Sequence, residues 1–356
     1  MIGEKKFDGA TYMDKKNNPV AEPYYAIKNI NYESYNEYSQ DHGMIYNLDA
    51  SFIRVILSDI ENLSFENNYL ARPGTLGIIS NLQFKGRNLV FTNNTITNLS
   101  TNMACWGTGL IAYLRGSLEN IYVEDNYVNA RVQGAGVLVG LSRNAIYNKG
   151  ISNVYARNNE LNKPVGYAGS AIITGYINGN YAVKGGTFYL DDITVEDSTV
   201  YSTGGGYGAG VAGNIYGNGN VVLNRNYVNN CDIYTNSSYV GGLFGYNQIS
   251  TRFSTFDSYV ANTRVRGGSY TGGIGGVYSG YSTNNTVENR FTGETAYEGV
   301  PMDGSTVGQN VEYVHRNEFP ELLTDVEPNK DWNPLLLNRA DGRVASNSCY
   351  KMQGGG

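Results

Sequence analysis

The chain has 356 residues, with 26 Lys and Arg against 32 Asp and Glu, a net charge of −6 and a pI near 5.1. Only 16% of residues are charged and no long basic run occurs, so the footprint that nucleic acid or an anionic membrane requires is missing. Apolar runs are too short to span a bilayer, and three cysteines without CxxC spacing beside two histidines offer no metal site.

Residues 1–50 alternate tyrosines with polar groups and show no repeat; an N-terminal cap or attachment segment is expected there. The opening Met-Ile-Gly-Glu-Lys-Lys-Phe-Asp-Gly has no apolar leader core. The expectation is either a leaderless protein or a piece excised from a longer secreted one.

Residues 51–293 repeat. An eleven-residue pattern runs Ile60-Glu-Asn-Leu-Ser-Phe-Glu-Asn-Asn-Tyr-Leu70, and returns at Gly86–Ile96, Leu118–Val128, Ile151–Leu161 and Leu190–Val200. Weaker copies end at Ile233, Val265 and Phe291. The starts at 60, 86, 118, 151, 190, 223 and 255 step by 26, 32, 33, 39, 33 and 32 residues. Stacked, the copies give apolar columns at Leu63, Leu89, Ile121, Val154, Ile193 and, two residues on, at Phe65, Phe91, Val123, Ala156, Val195, Val228, Val260. A third column is Leu70, Ile96, Val128, Leu161, Val200, Ile233, Val265. Apolar positions two apart mark strands, and their alignment from copy to copy predicts strands stacked face on face.

Every copy has Asn or Asp at Asn67, Asn93, Asp125, Asn158, Asp197, Asn230 and Asn262. These residue types tolerate left-handed backbone and bond nearby backbone groups, so the column predicts a structural ladder at a bend. Between copies lies a glycine-rich strand pattern, clearest in Val240-Gly-Gly-Leu-Phe-Gly-Tyr246 and Thr271-Gly-Gly-Ile-Gly-Gly-Val277. These segments resemble the GLUG motif of bacterial surface and secreted proteins, over about residues 60–293. Together the columns predict an all-β, right-handed parallel β-helix of about seven or eight rungs, a rod on the order of 35 Å long. Residues 294–356, with the apolar Asp331-Trp-Asn-Pro-Leu-Leu-Leu337, are expected to be a C-terminal cap or tail.

Catalytic machinery is not expected. The acidic pairs Glu124/Asp125, Asp191/Asp192 and Glu196/Asp197 invite acid–base chemistry, but Asp125 and Asp197 belong to the ladder, where other copies carry Asn. His42 and His315 stand in no His-Glu-x-x-His run, so no peptidase centre accompanies the GLUG-like repeats. Neither a nucleophile elbow nor a phosphate loop occurs, and no cofactor is implied. Tyr122, Tyr155, Tyr227 and Tyr259 fall between inward columns and are expected to form an exposed stripe suited to sugar rings or a protein. Arg252, Arg264 and Arg266 cluster near the clearest glycine copies and could pair with an acidic ligand.

The leading expectation is an extracellular or cell-surface binding scaffold of adhesin type, recognising a glycan or a host or bacterial surface protein. A phage tailspike or receptor-binding protein, in one version polysaccharide-degrading, is the second, located on the virion. A spacer or self-assembling subunit, forming a homo-oligomer or larger assembly, is the third.

Overall fold

A computed structural model describes residues 7–8, 25–33, 51–100, 107–143, 150–179, 186–236, 239–249, 253–267, 270–277, 281–283, 285–289 and 311–312. The regular structure of the described residues is all-β, and each repeat lays its strands parallel to, and in register with, those of the repeats on either side. Four strand stacks result. A broad sheet carries Ile60–Glu66, Lys85–Thr92, Ser117–Glu124, Gly150–Arg157 and Thr187–Glu196. After a bend comes a narrow sheet of Tyr69–Arg72, Thr95–Asn98, Tyr127–Asn129, Glu160–Lys163, Thr199–Ser202 and Asp232–Thr235. A short glycine sheet follows, including Gly134–Gly136, Gly208–Ala209 and Tyr239–Gly241. The last stack, with Ile111–Leu114, Val139–Arg143, Ala212–Gly217 and Phe244–Ile249, leads back to the broad sheet.

The apolar columns meet in a single core. Leu63, Leu89, Ile121, Val154 and Ile193 are at most 2% exposed, and Phe65 stacks on Phe91 at 5.0 Å with planes 7° apart. Leu110, Leu138, Ile173, Val211, Leu243 and Ile274, one from each glycine-pattern copy, close the core from the opposite side. The neighbouring glycines permit the sharp corner. A Cβ on Gly213 would lie 2.3 Å from the Ser170 amide nitrogen, and one on Gly245 2.5 Å from the Gly213 carbonyl oxygen, so backbone packs where side chains cannot.

The bends are made by left-handed residues in two columns. Asn29, Asn67, Asn93, Asp125, Asn158, Asp197, Asn230 and Asn262 have φ between 46° and 58°. A second column, absent from the sequence reading, bends the broad strands themselves: Asn62, Asn88, Asn120, Asn153, Asp192, Arg225 and Asp257, with φ between 42° and 60°. Every described non-glycine residue with positive φ belongs to one of these two columns. Arg225 is the costly member, since left-handed backbone costs roughly 1–2 kcal/mol outside Gly, Asn and Asp. Its guanidinium grips Asp192 at 2.5 and 2.7 Å and Asp191 at 2.9 Å, which also explains that acidic pair.

The residue after the first column forms a buried ladder. Asn68 Nδ2 donates to Asn94 Oδ1 at 2.9 Å, Asn94 Nδ2 to Asn126 Oδ1 at 2.9 Å, and Asn126 Nδ2 to Asn159 Oδ1 at 3.0 Å. Each acceptor oxygen also takes the backbone N–H of the Asn before it, at 3.0–3.1 Å. The second proton of each amide goes to a carbonyl one repeat back, as in Asn94 to Phe65 at 2.9 Å. Later repeats continue the column with Ser198, Cys231 and Thr263. Cys231 is therefore a free, buried ladder member, and burial pushes its thiol up to about 12.

The repeat starts earlier than the sequence columns draw it. Within the segment expected to be a non-repeating cap, Tyr25–Lys28 pairs with Leu63–Glu66 and Asn31–Glu33 with Tyr69–Ala71. The same ladder ties them, Asn68 Nδ2 donating to the Ile27 carbonyl at 3.0 Å and Asn68 Oδ1 accepting from Ile30 N at 3.1 Å. Val311–Glu312 likewise pairs with Asn285–Thr286, inside the expected C-terminal cap. The rest of 294–356, including 331–337, lies outside the described residues.

Asn94→Ala strands the Asn68 amide and the Phe65 carbonyl in the core and should destabilise the fold by roughly 2–4 kcal/mol. Asn93→Gly, one residue away at φ 54°, keeps the left-handed bend and should change stability by under about 1 kcal/mol. Urea titration of the two variants beside the parent measures the difference; equal losses would remove the buried ladder from its central place.

Candidate functional site

The tyrosine stripe expected to be exposed is buried. Tyr122, Tyr155, Tyr227 and Tyr259 are 4%, 1%, 5% and 3% exposed, and none belongs to the apolar core between the sheets. They therefore sit on the outward side of the broad sheet, as alternation requires, but that side is shielded along the stack. Ser64, Val90, Thr92, Glu66 and Glu196 on the same surface are buried too. Alternation fixes which way a side chain points, not whether water reaches it. Tyr122 stacks on Tyr155 at 5.8 Å and Tyr227 meets Tyr259 at 6.2 Å, so these rings are mutual packing rather than ligand surface.

The acidic pairs are engaged as well. Glu196 is 3% exposed and accepts a hydrogen bond from the Tyr155 hydroxyl at 2.8 Å. Burial pushes its carboxyl up to about 7, the Tyr155 hydroxyl opposing and the Asp197 charge assisting. Asp197 holds Arg157 Nε at 3.0 Å and Asn230 Nδ2 at 2.8 Å. Asp125 accepts from Asn158 Nδ2 at 2.9 Å, as Asn67 does from Asn93 at 2.6 Å. Asn262 reaches across to Asn229 Oδ1 at 3.1 Å instead of to Asn230. Lys163 is fully buried, and burial brings its amine down to about 7; its Nζ donates to the Gln133 carbonyl at 2.8 Å and to that of Ala168, pinning the loop beyond the narrow sheet.

The surface with open chemistry is the outward side of the narrow sheet. Leu161, Val200, Ile233 and Val265 point into the core, so their neighbours point out. One outward column runs Asn129, Asn162, Tyr201, Tyr234, Arg266; the other runs Tyr127, Glu160, Thr199, Asp232, Arg264. The Tyr201 and Tyr234 rings stack at 5.0 Å and 23°. Arg266 lies 5.1 Å from the Tyr234 ring centre and clamps both Asp232 oxygens at 3.0 Å. Arg264 stands 3.8 Å from the same carboxylate and is half exposed. Two of the three predicted arginines are thus brought together, on Asp232; Arg252 lies outside the described residues.

Tyr201 is 44% exposed, and stacking covers only one of its faces. On the other side its register partner is Asn162, an amide rather than a ring. Beside the column opens a cleft of about 540 Å³ lined by Asp197, Thr199, Asn230, Asp232, Asn262 and Arg264. An exposed ring face next to carboxylate, amide, hydroxyl and guanidinium groups can hold a ligand with one apolar face and many hydroxyls. Tyr201 and Tyr234 follow directly on the third apolar column, so extending the aligned repeat by one residue would have exposed them.

No protein-family model and no curated protein matches the chain. Among solved structures it is similar to a putative immunoglobulin A1 protease from Bacteroides ovatus, at 16% identity and a TM-score of 0.45, covering 76% of this chain and 74% of that one. Likeness at this level assigns no activity.

The raised Glu196 carboxyl predicts a pH dependence of stability. Its protonated form is favoured in the fold, so its contribution is complete below about 4.5 and is lost as pH rises through about 7. Thermal melts should show the parent losing roughly 2–4 kcal/mol across that window, while Glu196→Gln stays flat there. A parent and variant with parallel profiles would contradict the assignment.

Proposed function

We propose that the chain is a right-handed parallel β-helix of about seven or eight rungs that serves outside the cell as a non-catalytic binding scaffold, and that it binds a glycan on the narrow sheet. Right-handedness is supported by the general rule for parallel strands joined by crossovers, which hold that hand in nearly all known cases. The GLUG-like glycine strands favour a bacterial surface or secreted setting for this scaffold.

The observation that carries the glycan reading is the half-exposed Tyr201 ring, backed by Tyr234 and Arg266 and bordered by the polar cleft. Sugar rings pair an apolar C–H face with equatorial hydroxyls, and this surface offers a partner for each. The non-catalytic reading is supported by the carboxylates themselves. Asp197 and Asp232 are held by arginines and ladder amides, and Glu196 is buried, so none stands ready as acid or base over the Tyr201 face. The arginines serve as struts for Asp232 and Tyr234 rather than as a free anion site.

A glycan array probed with the full chain, with reducing-end release followed on the same sugars, checks both halves. Binding should occur without release, and Tyr201→Ala should weaken it at least about tenfold, or about 1.4 kcal/mol, whereas Tyr122→Ala should act only through stability. Product release would overturn the non-catalytic reading, and undiminished binding by Tyr201→Ala would move the site off the narrow sheet.

A further inference from the structure

The repeats that carry Tyr201, Tyr234 and Arg266 carry a second aromatic column at the glycine corner. Tyr207 precedes the strand Gly208–Ala209, while Tyr239 and Tyr270 open Tyr239–Gly241 and Tyr270–Gly272. Tyr239 pairs with Tyr270, and the pairing of Gly208 with Val240 sets Tyr207 against Tyr239. Tyr246, from Phe244–Ile249, joins them. Ring centres are 4.4 Å apart for Tyr239 and Tyr246, 4.7 Å for Tyr207 and Tyr246, and 4.8 Å for Tyr239 and Tyr270, the last pair parallel within 3°.

The fold does not require these rings. In the three preceding repeats the same column is Gly107, Gly134 and Gly169, and the glycine sheet keeps its register there. The change from glycine to tyrosine falls in the same repeat as the change from Asn162 to Tyr201 on the narrow sheet. Tyr270 is 38% exposed, the other three rings are half-buried, and none of the four hydroxyls bonds to a described residue. Burial, reinforced by the neighbouring tyrosines, raises the Tyr207 and Tyr239 phenols, so at neutral pH they remain proton donors. Five residue steps separate Tyr234 from Tyr239, which limits the distance between the columns to about 18 Å along that repeat.

We infer that Tyr207, Tyr239, Tyr246 and Tyr270 form a second sugar subsite, so that the ligand is an oligosaccharide of several rings running from the narrow sheet to the glycine corner. This rests on the glycan reading of the narrow sheet and adds to it a ligand length and a direction around the coil. The corner supplies ring edges and phenol hydroxyls, the narrow sheet a ring face and a charged cleft. A single sugar on Tyr201 would leave the corner unused.

The test uses the full chain on an array of oligosaccharides from one to eight rings, followed by titration of the best ligand and its shorter fragments. Tyr239→Gly is the informative variant, because glycine is what three other repeats carry in that column; a melting curve confirms the fold. Parent affinity should rise at least tenfold from one ring to the full-length ligand. Tyr239→Gly should lose that gain while keeping the one-ring affinity, and Tyr270→Phe, which keeps the ring and removes the hydroxyl, should lose part of it. If Tyr239→Gly shows the parent's length dependence while Tyr201→Ala still loses binding, the corner subsite is wrong and the narrow-sheet reading stands. If Tyr239→Gly loses binding and Tyr201→Ala does not, the corner stands and the narrow sheet falls. No array binding by the parent would overturn both.

Discussion

The chain of buried amides from Asn68 through Asn94 and Asn126 to Asn159 is the interaction on which the rest of the structure depends. A strand that bends sharply leaves backbone groups pointing into the interior, where an unpaired group costs about 1–3 kcal/mol. Each ladder amide takes up one such N–H and one carbonyl, and spends its remaining capacity on the next amide. That arrangement works only if the repeats stay in register, because a slip of one residue would replace the buried amide by the preceding left-handed Asn or Asp or by Tyr69, Thr95, Tyr127 or Glu160, none of which sits where the amide does. Where later repeats use Ser198, Cys231 and Thr263, the same task falls to a hydroxyl or thiol reaching a carbonyl two residues back. The bend tolerates the change because the donor stays short and buried.

In-register stacking decides how every other residue type behaves. Asparagines become ladders, charges become lateral ion pairs such as Arg225 with Asp191 and Asp192, and aromatics stack on their own kind along the coil. Stacked rings cover one another's faces, so a long tyrosine column is mostly structure. A ring at the start of a column has one face not covered by its own kind, and which side of the coil it stands on decides whether that face meets water: Tyr122 beside Val90 is 4% exposed, Tyr201 beside Asn162 44%. Tyr201 beside Asn162 and Tyr207 beside Gly169 are both such beginnings, in the same repeat. Carboxylates placed by the repeat, such as Asp125, Asp197 and Asp232, are likewise engaged by their neighbours in it.

Much of the fold was legible in the sequence because a stacked repeat writes its contacts as aligned columns. The apolar positions of Leu63, Phe65 and Leu70 and their counterparts, and the Asn and Asp of the exposed bend, could be read in this way. Less regular features could not. The second bend column was hidden by Arg225, a residue type that gives no hint of left-handed backbone. The buried ladder was hidden by its change from Asn to Ser, Cys and Thr. The early rung at Tyr25–Glu33 was hidden because Tyr-Ala-Ile-Lys-Asn-Ile matches the pattern in shape but weakly in letters.

By itself the sequence determined the parallel stacking, the inward columns and the left-handed bend, because these depend on periodicity and on the backbone preferences of single residue types. Tertiary structure alone decided which outward face meets water. Tyr122 and Tyr155 alternate just as Tyr201 does, yet they are 4% and 1% exposed where Tyr201 is 44% exposed. Periodicity sorts residues to one side of a sheet or the other; whether that side is shielded depends on packing remote in the chain, which no local pattern records.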